Sequence, residues 1–198
     1  IAGTGSNSTN KAVHLSEFAR DVGADATLVV TPYYNKASRE GLIRHYETIA
    51  NEVDIPMILY NVPSRTGVDI PLEVYERLSE HENIVAVKEA SSSIGNFARL
   101  SQKCGNRLHV YSGNDDLILP TLSLGGSGVI SVLSNILPTA TRDICHNYLR
   151  GNTQIASKMQ TKFIGLIKAL FSDVNPTPIK QAMNILGMDV GECRLPLY

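Results

Sequence analysis

Long apolar runs are missing from this 198-residue chain: nothing in it comes near the roughly 18 consecutive apolar residues that cross a bilayer. Runs of one charge sign are missing too, and the net charge is −1. That argues against a nucleic-acid or membrane-surface binder, which would show a basic face. No secretory leader is visible. Cysteine is scarce, with Cys104, Cys145 and Cys193 alone. An odd count without short spacing supports neither a disulfide framework nor a zinc site, so three reduced thiols of a cytosolic protein are expected. The five histidines form no HxxxH pair. His45 and Tyr46 fall in a helical stretch and read as surface or packing residues. No metal is expected.

What is present is an ordinary globular composition, 43% apolar, long enough for one domain with a sizeable core. Short β-rich runs recur at Thr27–Thr31, Met57–Asn61, Ile84–Lys88, Leu108–Ser112 and Gly128–Val132. Most are almost continuously apolar, as parallel strands covered on both faces are. Ile1–Gly3 reads as the tail of an earlier strand. Helical patterns lie between them. Asn10–Val22 sets Val13, Phe18, Ala19 and Val22 near one face, and Gly23 closes it. Ser38 is an N-cap for a helix with Leu42, Tyr46, Ile49, Ala50 and Val53 in a stripe. Pro71 sits as a first-turn proline before Val74, Tyr75 and Leu78. Ile94–Cys104 ends at Gly105. After Val132 the β signal stops, and helices follow near Thr139–Leu149, Thr153–Phe171 and Pro178–Leu186.

Repeated βα units imply a doubly wound sheet or a (β/α)₈ barrel. Five strands and a tail are too few to close a barrel of about 250 residues. Either the sheet is doubly wound, or this is an α/β (β/α)₈ barrel that lacks roughly two N-terminal βα units and part of a third. On the barrel reading, residues 1–135 would carry strands 3 to 8 and their helices, and 136–198 the last barrel helix and a C-terminal helical part.

In both architectures function gathers at the carboxyl ends of the strands. Lys88 ends an otherwise apolar strand and shares a face with Ala86 and Ala90. Small neighbours leave room beside an amine whose pKa burial would lower, and a neutral amine is the nucleophile that forms an imine with a ketone. A strand-end lysine reaching out to solvent fits the same pattern. Tyr60 ends the preceding strand, either as a proton shuttle or as a core tyrosine. Arg65, in Pro63-Ser64-Arg65-Thr66-Gly67, suits carboxylate capture but equally a solvated loop. Tyr33-Tyr34 is an aromatic pair at a strand exit. Gly3-Thr4-Gly5 is too short to argue for phosphate binding.

Together, Gly3-Thr4-Gly5-Ser6-Asn7, Thr31-Pro32-Tyr33-Tyr34-Asn35, Tyr60-Asn61-Val62-Pro63-Ser64-Arg65-Thr66-Gly67, Val87-Lys88-Glu89-Ala90 and Gly128-Val129-Ile130-Ser131-Val132 resemble the dihydrodipicolinate synthases, in order and spacing, across essentially the whole chain. The resemblance implies that Lys88 forms an imine with pyruvate and that Tyr60 is its proton donor and acceptor. It implies that Tyr34 completes the relay in a neighbouring subunit, and that Arg65 holds the carboxylate of aspartate semialdehyde. Backbone at Gly113 and Ile130 would line the pyruvate pocket. It further implies a homo-oligomer, a dimer or dimer of dimers, and no cofactor, because the imine is itself the electron sink.

The departures are as informative. The family's relay threonine, from a Gly-Thr-Thr-Gly-Glu-like segment, has no counterpart here, nor has its closing C-terminal helix. An allosteric lysine site would include Asn7, Tyr33 and the position of Lys11. Lysine-inhibited members carry glutamate at that last position, so weak feedback is expected. Sister enzymes such as N-acetylneuraminate lyase or 2-keto-3-deoxy acid aldolases share the lysine and tyrosine but usually lack an arginine after the tyrosine. A non-catalytic barrel remnant is the rival from another class.

Overall fold

The computed structural model describes residues 1–198. Its elements alternate as the hydrophobic pattern requires. The chain runs through β1 (Ala2–Gly3), α1 (Thr9–Asp21), β2 (Thr27–Val30), α2 (Arg39–Glu52), β3 (Met57–Asn61), the short α3 (Pro63–Thr66), α4 (Leu72–Leu78), β4 (Ile84–Glu89) and α5 (Ile94–Cys104). It continues with β5 (His109–Ser112), a 3₁₀ turn at Asp115–Leu117, α6 (Ile118–Ser123), β6 (Gly128–Val129), a second 3₁₀ turn at Leu133–Asn135, α7 (Pro138–Leu149), α8 (Thr153–Leu170) and α9 (Thr177–Ile185). The six strands follow one another in chain order in one sheet. This is the pattern of successive right-handed βα units, in which each helix carries the chain back to start the next parallel strand. No helix is long and apolar enough to cross a membrane.

Contacts divide the chain into two compact units. The first holds residues 1–111 and 124–127. Its strands β1 to β4 pair in parallel, with Val30 beside Tyr60 and Tyr60 beside Lys88. Period-two alternation then sorts the side chains. Thr27, Val29, Leu59, Val87 and Glu89 are buried, while Leu28, Val30, Tyr60 and Lys88 on the other face are only half-buried. Helices pack in sequence, α1 on α2, α2 on α4 and α4 on α5. Leu42, Tyr46, Ile49, Ala50 and Val53 form the expected stripe, all buried. So do Val74, Tyr75 and Leu78 of α4.

Two local readings are corrected. In α1 the buried stripe is Ala12, Val13, Ser16 and Ala19, whereas Phe18 and Val22 are exposed. Small residues spaced three and four apart let this helix approach its neighbours closely, and Phe18 lies one position off that stripe. Gly23, just beyond α1, does take the left-handed backbone expected of a helix stop, with φ +86°. Pro71 stands at the N-cap of α4, one residue before the helix proper. Its fixed φ serves there equally well.

The second unit holds residues 112–123 and 128–198. Ile118 and Leu122 of α6 pack with Ile144 and Cys145 of α7. Leu133, Ile167, Leu170 and Ile179 form a second cluster. The strand read as Gly128–Val132 is cut short at Val129. The Asp115 carboxylate accepts from the backbone N–H groups of Val132 and Leu133, at 3.0 and 2.8 Å. That turns the chain into a 3₁₀ turn instead of extending the strand. Asp115 is itself buried, and burial raises its pKa against those hydrogen bonds.

His45, on α2, is buried and not at the surface. Its Nδ1 lies 2.9 Å from the Thr9 hydroxyl, while its Nε2 has no hydrogen-bond partner. Burial pushes the imidazole down to about 4. The unfolded chain takes up this proton near pH 6.5, so the native state loses stability as pH falls from there to about 4. The loss is on the order of 3 kcal/mol. Urea unfolding across this pH range is expected to show a shallower acid slope for His45→Gln than for the unsubstituted chain. Identical slopes would refute the assignment.

Candidate active site

The site is built at the carboxyl ends of β1, β2, β3 and β4, all in the first unit. Tyr60 is the fourth residue of β3, and Lys88 is the fifth of β4. They are register partners. The Lys88 Nζ stands over the Tyr60 ring, 4.4 Å from its centroid. The strand-end lysine therefore points at the phenol on the adjacent strand. Ala86, two residues earlier on the same face, is buried at 3% exposure.

Tyr60 also lines a cavity of about 380 Å³. Gly3, Gly5, Leu28, Val30 and Tyr33 contribute to its walls, with Val62, Arg65 and Thr66 from the loop after β3. That size suits a small-molecule site. Burial raises the Tyr60 pKa, and the Arg65 guanidinium partly offsets this. The phenol is therefore protonated at neutral pH and can donate. Arg65 itself is on an exposed turn, held because Pro63–Thr66 closes into one helical turn. The Arg65 N–H donates to the Val62 carbonyl at 3.0 Å, and the buried Thr66 hydroxyl donates to the carbonyls of Val62 and Val68 at 3.2 and 3.1 Å. The sequence offers this loop either as a site for carboxylate capture by Arg65 or as a solvated connection. The structure makes it a rigid arm.

The tyrosine pair is split. Tyr33 faces the cavity wall, while Tyr34 is 88% exposed with φ +74°. A left-handed backbone is uncommon for a bulky residue and marks a position that its surroundings enforce. Two anchors do so here. The Tyr34 N–H reaches the Thr66 carbonyl at 3.4 Å, and the Asn35 side-chain amide donates to the Asn7 carbonyl at 3.2 Å. Asn7 precedes α1, and Lys11 is exposed in that helix's first turn. Gly113 and Ile130 belong to the second unit, where Gly113 follows β5 directly and the Ile130 N–H donates to the Ser112 carbonyl at 2.9 Å.

A polar group that sequence reasoning left without a role lies directly behind the pair. Asn61 and Glu89, the residues after Tyr60 and Lys88, are register partners and almost fully buried. Both carboxylate oxygens of Glu89 accept from Asn61, and the Tyr75 hydroxyl donates to one of them at 2.9 Å. Burial raises the Glu89 pKa, opposed by those hydrogen bonds and one from Ser91. The signal was available in the sequence: an acid and an amide closing two strands that are otherwise apolar apart from Tyr60 and Lys88. No cluster of three or more His, Cys, Asp or Glu residues that could hold a metal ion is present.

A profile of the dihydrodipicolinate synthetase family matches residues 1–198. The chain belongs to this family. Among curated relatives, the 4-hydroxy-tetrahydrodipicolinate synthase of Clostridium perfringens is 48% identical over 197 residues, spanning all of this chain and 68% of the relative. Among solved structures, the chloride-inhibited dihydrodipicolinate synthase of Acinetobacter baumannii in complex with pyruvate has a TM-score of 0.97 at 43% identity, covering 100% of this chain and 68% of that one. The synthase of Cyanidioschyzon merolae with lysine bound has a TM-score of 0.96 at 42% identity, covering 100% and 67%. Matches this close fix the fold class as the corresponding part of the family's (β/α)₈ barrel, an α/β fold. The chain spans about two thirds of the length of these relatives.

At the cavity wall the chain makes a backbone approach that leaves no room for a side chain. A Cβ added at Gly5 would stand 2.5 Å from the Val30 backbone nitrogen and 2.8 Å from its Cγ1. Gly5→Ala forces β1 away from β2 at the cavity wall. A destabilisation of about 1–3 kcal/mol is expected in urea titration; an unchanged midpoint would contradict this close approach.

Proposed function

We propose that this chain carries the Schiff-base condensation of pyruvate with L-aspartate 4-semialdehyde to 4-hydroxy-tetrahydrodipicolinate, the step of lysine and diaminopimelate biosynthesis performed by its family. It is a lyase of the class I, lysine-dependent type. The observation that carries the reading is the Lys88 amine held over the Tyr60 ring at the mouth of a parallel sheet.

The chemistry follows from that pair. Neutral Lys88 Nζ adds to the ketone carbon of pyruvate, and the carbinolamine loses its hydroxyl as water with a proton from Tyr60. A protonated phenol suits that role. The cationic imine withdraws electrons from the methyl group, which loses a proton to give the enamine. The enamine carbon bonds to the aldehyde carbon of the semialdehyde. Its amino group then attacks the imine carbon, closes the ring and expels the Lys88 amine. The imine serves as electron sink, so the sequence of steps calls on no cofactor.

Arg65 is assigned to the semialdehyde carboxylate, because it reaches the cavity wall from a braced turn. Tyr34 is assigned to a neighbouring copy's relay. An exposed tyrosine locked in a left-handed backbone is poorly explained by the needs of its own chain. This requires a homo-oligomer, at least a dimer.

Borohydride trapping in the presence of pyruvate is expected to give a covalent adduct at Lys88, absent in Lys88→Ala. A chain that forms no adduct would sink the reading. In a coupled assay, pyruvate with aspartate semialdehyde is expected to react and sialic acid is not. The reverse would assign the chain to the sister lyases. Arg65→Ala is expected to raise KM for the semialdehyde by about 10- to 100-fold.

Feedback by lysine is proposed to be weak. Asn7 and Tyr33 occupy family positions of the lysine site, but Lys11 puts an exposed cation where the effector's ammonium would need an anion. Initial rates are expected to stay near the uninhibited value at lysine concentrations that saturate inhibited members. Tight inhibition in that assay would overturn this assignment.

A further inference from the structure

We propose that Asn61 and Glu89 are positioning residues for the reaction: a buried hydrogen-bonded clamp that holds Tyr60 and Lys88 at matching heights. The inference rests on the Schiff-base reading of the preceding section.

The geometry is that of two adjacent rungs. Tyr60 and Lys88 face the cavity side of the sheet, and their successors Asn61 and Glu89 face the helices. Asn61 Nδ2 donates to both oxygens of Glu89, at 3.1 and 3.0 Å, and to Asp69 Oδ1 at 2.7 Å. The Glu89 carboxylate also accepts from the Tyr75 hydroxyl at 2.9 Å and the Ser91 backbone N–H at 2.7 Å. Asn61 Oδ1 accepts from the Ile70 N–H at 3.2 Å. Every partner of Glu89 is therefore a donor, which suits an ionised carboxylate. The clamp ties β3 and β4 to α4 and to the turns after both strands.

A buried carboxylate carries a desolvation penalty that an apolar pair of similar volume would avoid. The strand pairing also needs a lock. Met57 pairs with Ile84 but Ile58 with Ala86, so the β3–β4 register shifts within the ladder. A slip of one residue at the carboxyl end would turn Lys88 to the helix side. The Asn61–Glu89 contact admits only the register in which Tyr60 and Lys88 face each other.

The test compares Glu89→Gln and Tyr75→Phe with the unsubstituted chain, each alone and combined with Tyr60→Phe, by the rate of borohydride-trapped imine formation with pyruvate per folded molecule. Circular dichroism and thermal midpoints report folding. In Glu89→Gln an amide N–H₂ faces the donors of Asn61, Tyr75 and Ser91. The rate is expected to fall on the order of 10- to 100-fold, with far less change in half-saturating pyruvate. In the Tyr60→Phe background the same substitution is expected to lose less, because the clamp then has one partner fewer to position. Tyr75→Phe is expected to give a smaller loss in the same direction, and it carries the test if Glu89→Gln does not fold. Folded variants with the unsubstituted rate, or losses equal in both backgrounds, overturn the proposal and leave the Schiff-base reading standing. An unsubstituted chain that traps no adduct overturns both.

Discussion

Parallel pairing between β3 and β4 is the constraint from which the rest of the site descends. It sets Tyr60 beside Lys88 on one face and Asn61 beside Glu89 on the other. In a strand, moving one residue along means changing faces, so the reactive pair and the buried polar pair share one register. The amine lies 4.4 Å from the ring centroid because of that register, and no loop conformation has to supply it. The loops contribute differently. The turn after β3 braces Arg65 and Thr66 against the backbone of Val62, while the turn after β2 commits Tyr34 to a left-handed conformation pinned to Thr66.

Burial then tunes the chemistry without any metal-binding cluster. Desolvation raises the pKa of Tyr60, Tyr75 and Glu89 together, but the consequences differ by partner. Tyr60 meets an arginine at the cavity and remains a donor. Glu89 is surrounded by donors and acts as an acceptor. His45, buried against Thr9 with one ring nitrogen unpaired, is held neutral and serves packing between α1 and α2. In the second unit Asp115 uses its carboxylate on backbone N–H groups, which ends β6 and begins the 3₁₀ turn before α7.

Much of this was legible in advance. Apolar runs at Thr27, Met57, Ile84 and Leu108 became strands within a residue of their expected ends. The helix at Ile94–Cys104 fell where its pattern placed it. Lys88 and Tyr60 stood out because polar or aromatic residues at strand ends interrupt apolar runs, and Arg65 and Tyr34 because they lie in the loops just beyond such ends. What failed did so for identifiable reasons. Phe18 was assigned to the core because hydrophobicity was weighed above size, whereas α1 buries small residues. Gly128–Val132 read as a full strand because a distant carboxylate that captures two N–H groups leaves no local trace. The Asp115–Ser123 helical stretch was missed, since Pro120 lies within it.

Sequence alone determined the period-two and period-3.6 patterns, hence the βα alternation, the strand-end positions and the family. These are local, because side-chain direction follows from backbone periodicity. Tertiary structure alone decided which strand ends face each other, which face of Glu89's strand is buried, and that Asn61, Asp69, Tyr75 and Glu89 meet in one network. Those contacts join residues 8 to 28 positions apart, and a one-residue change of the β3–β4 register would break the Asn61–Glu89 pairing while leaving every local preference satisfied.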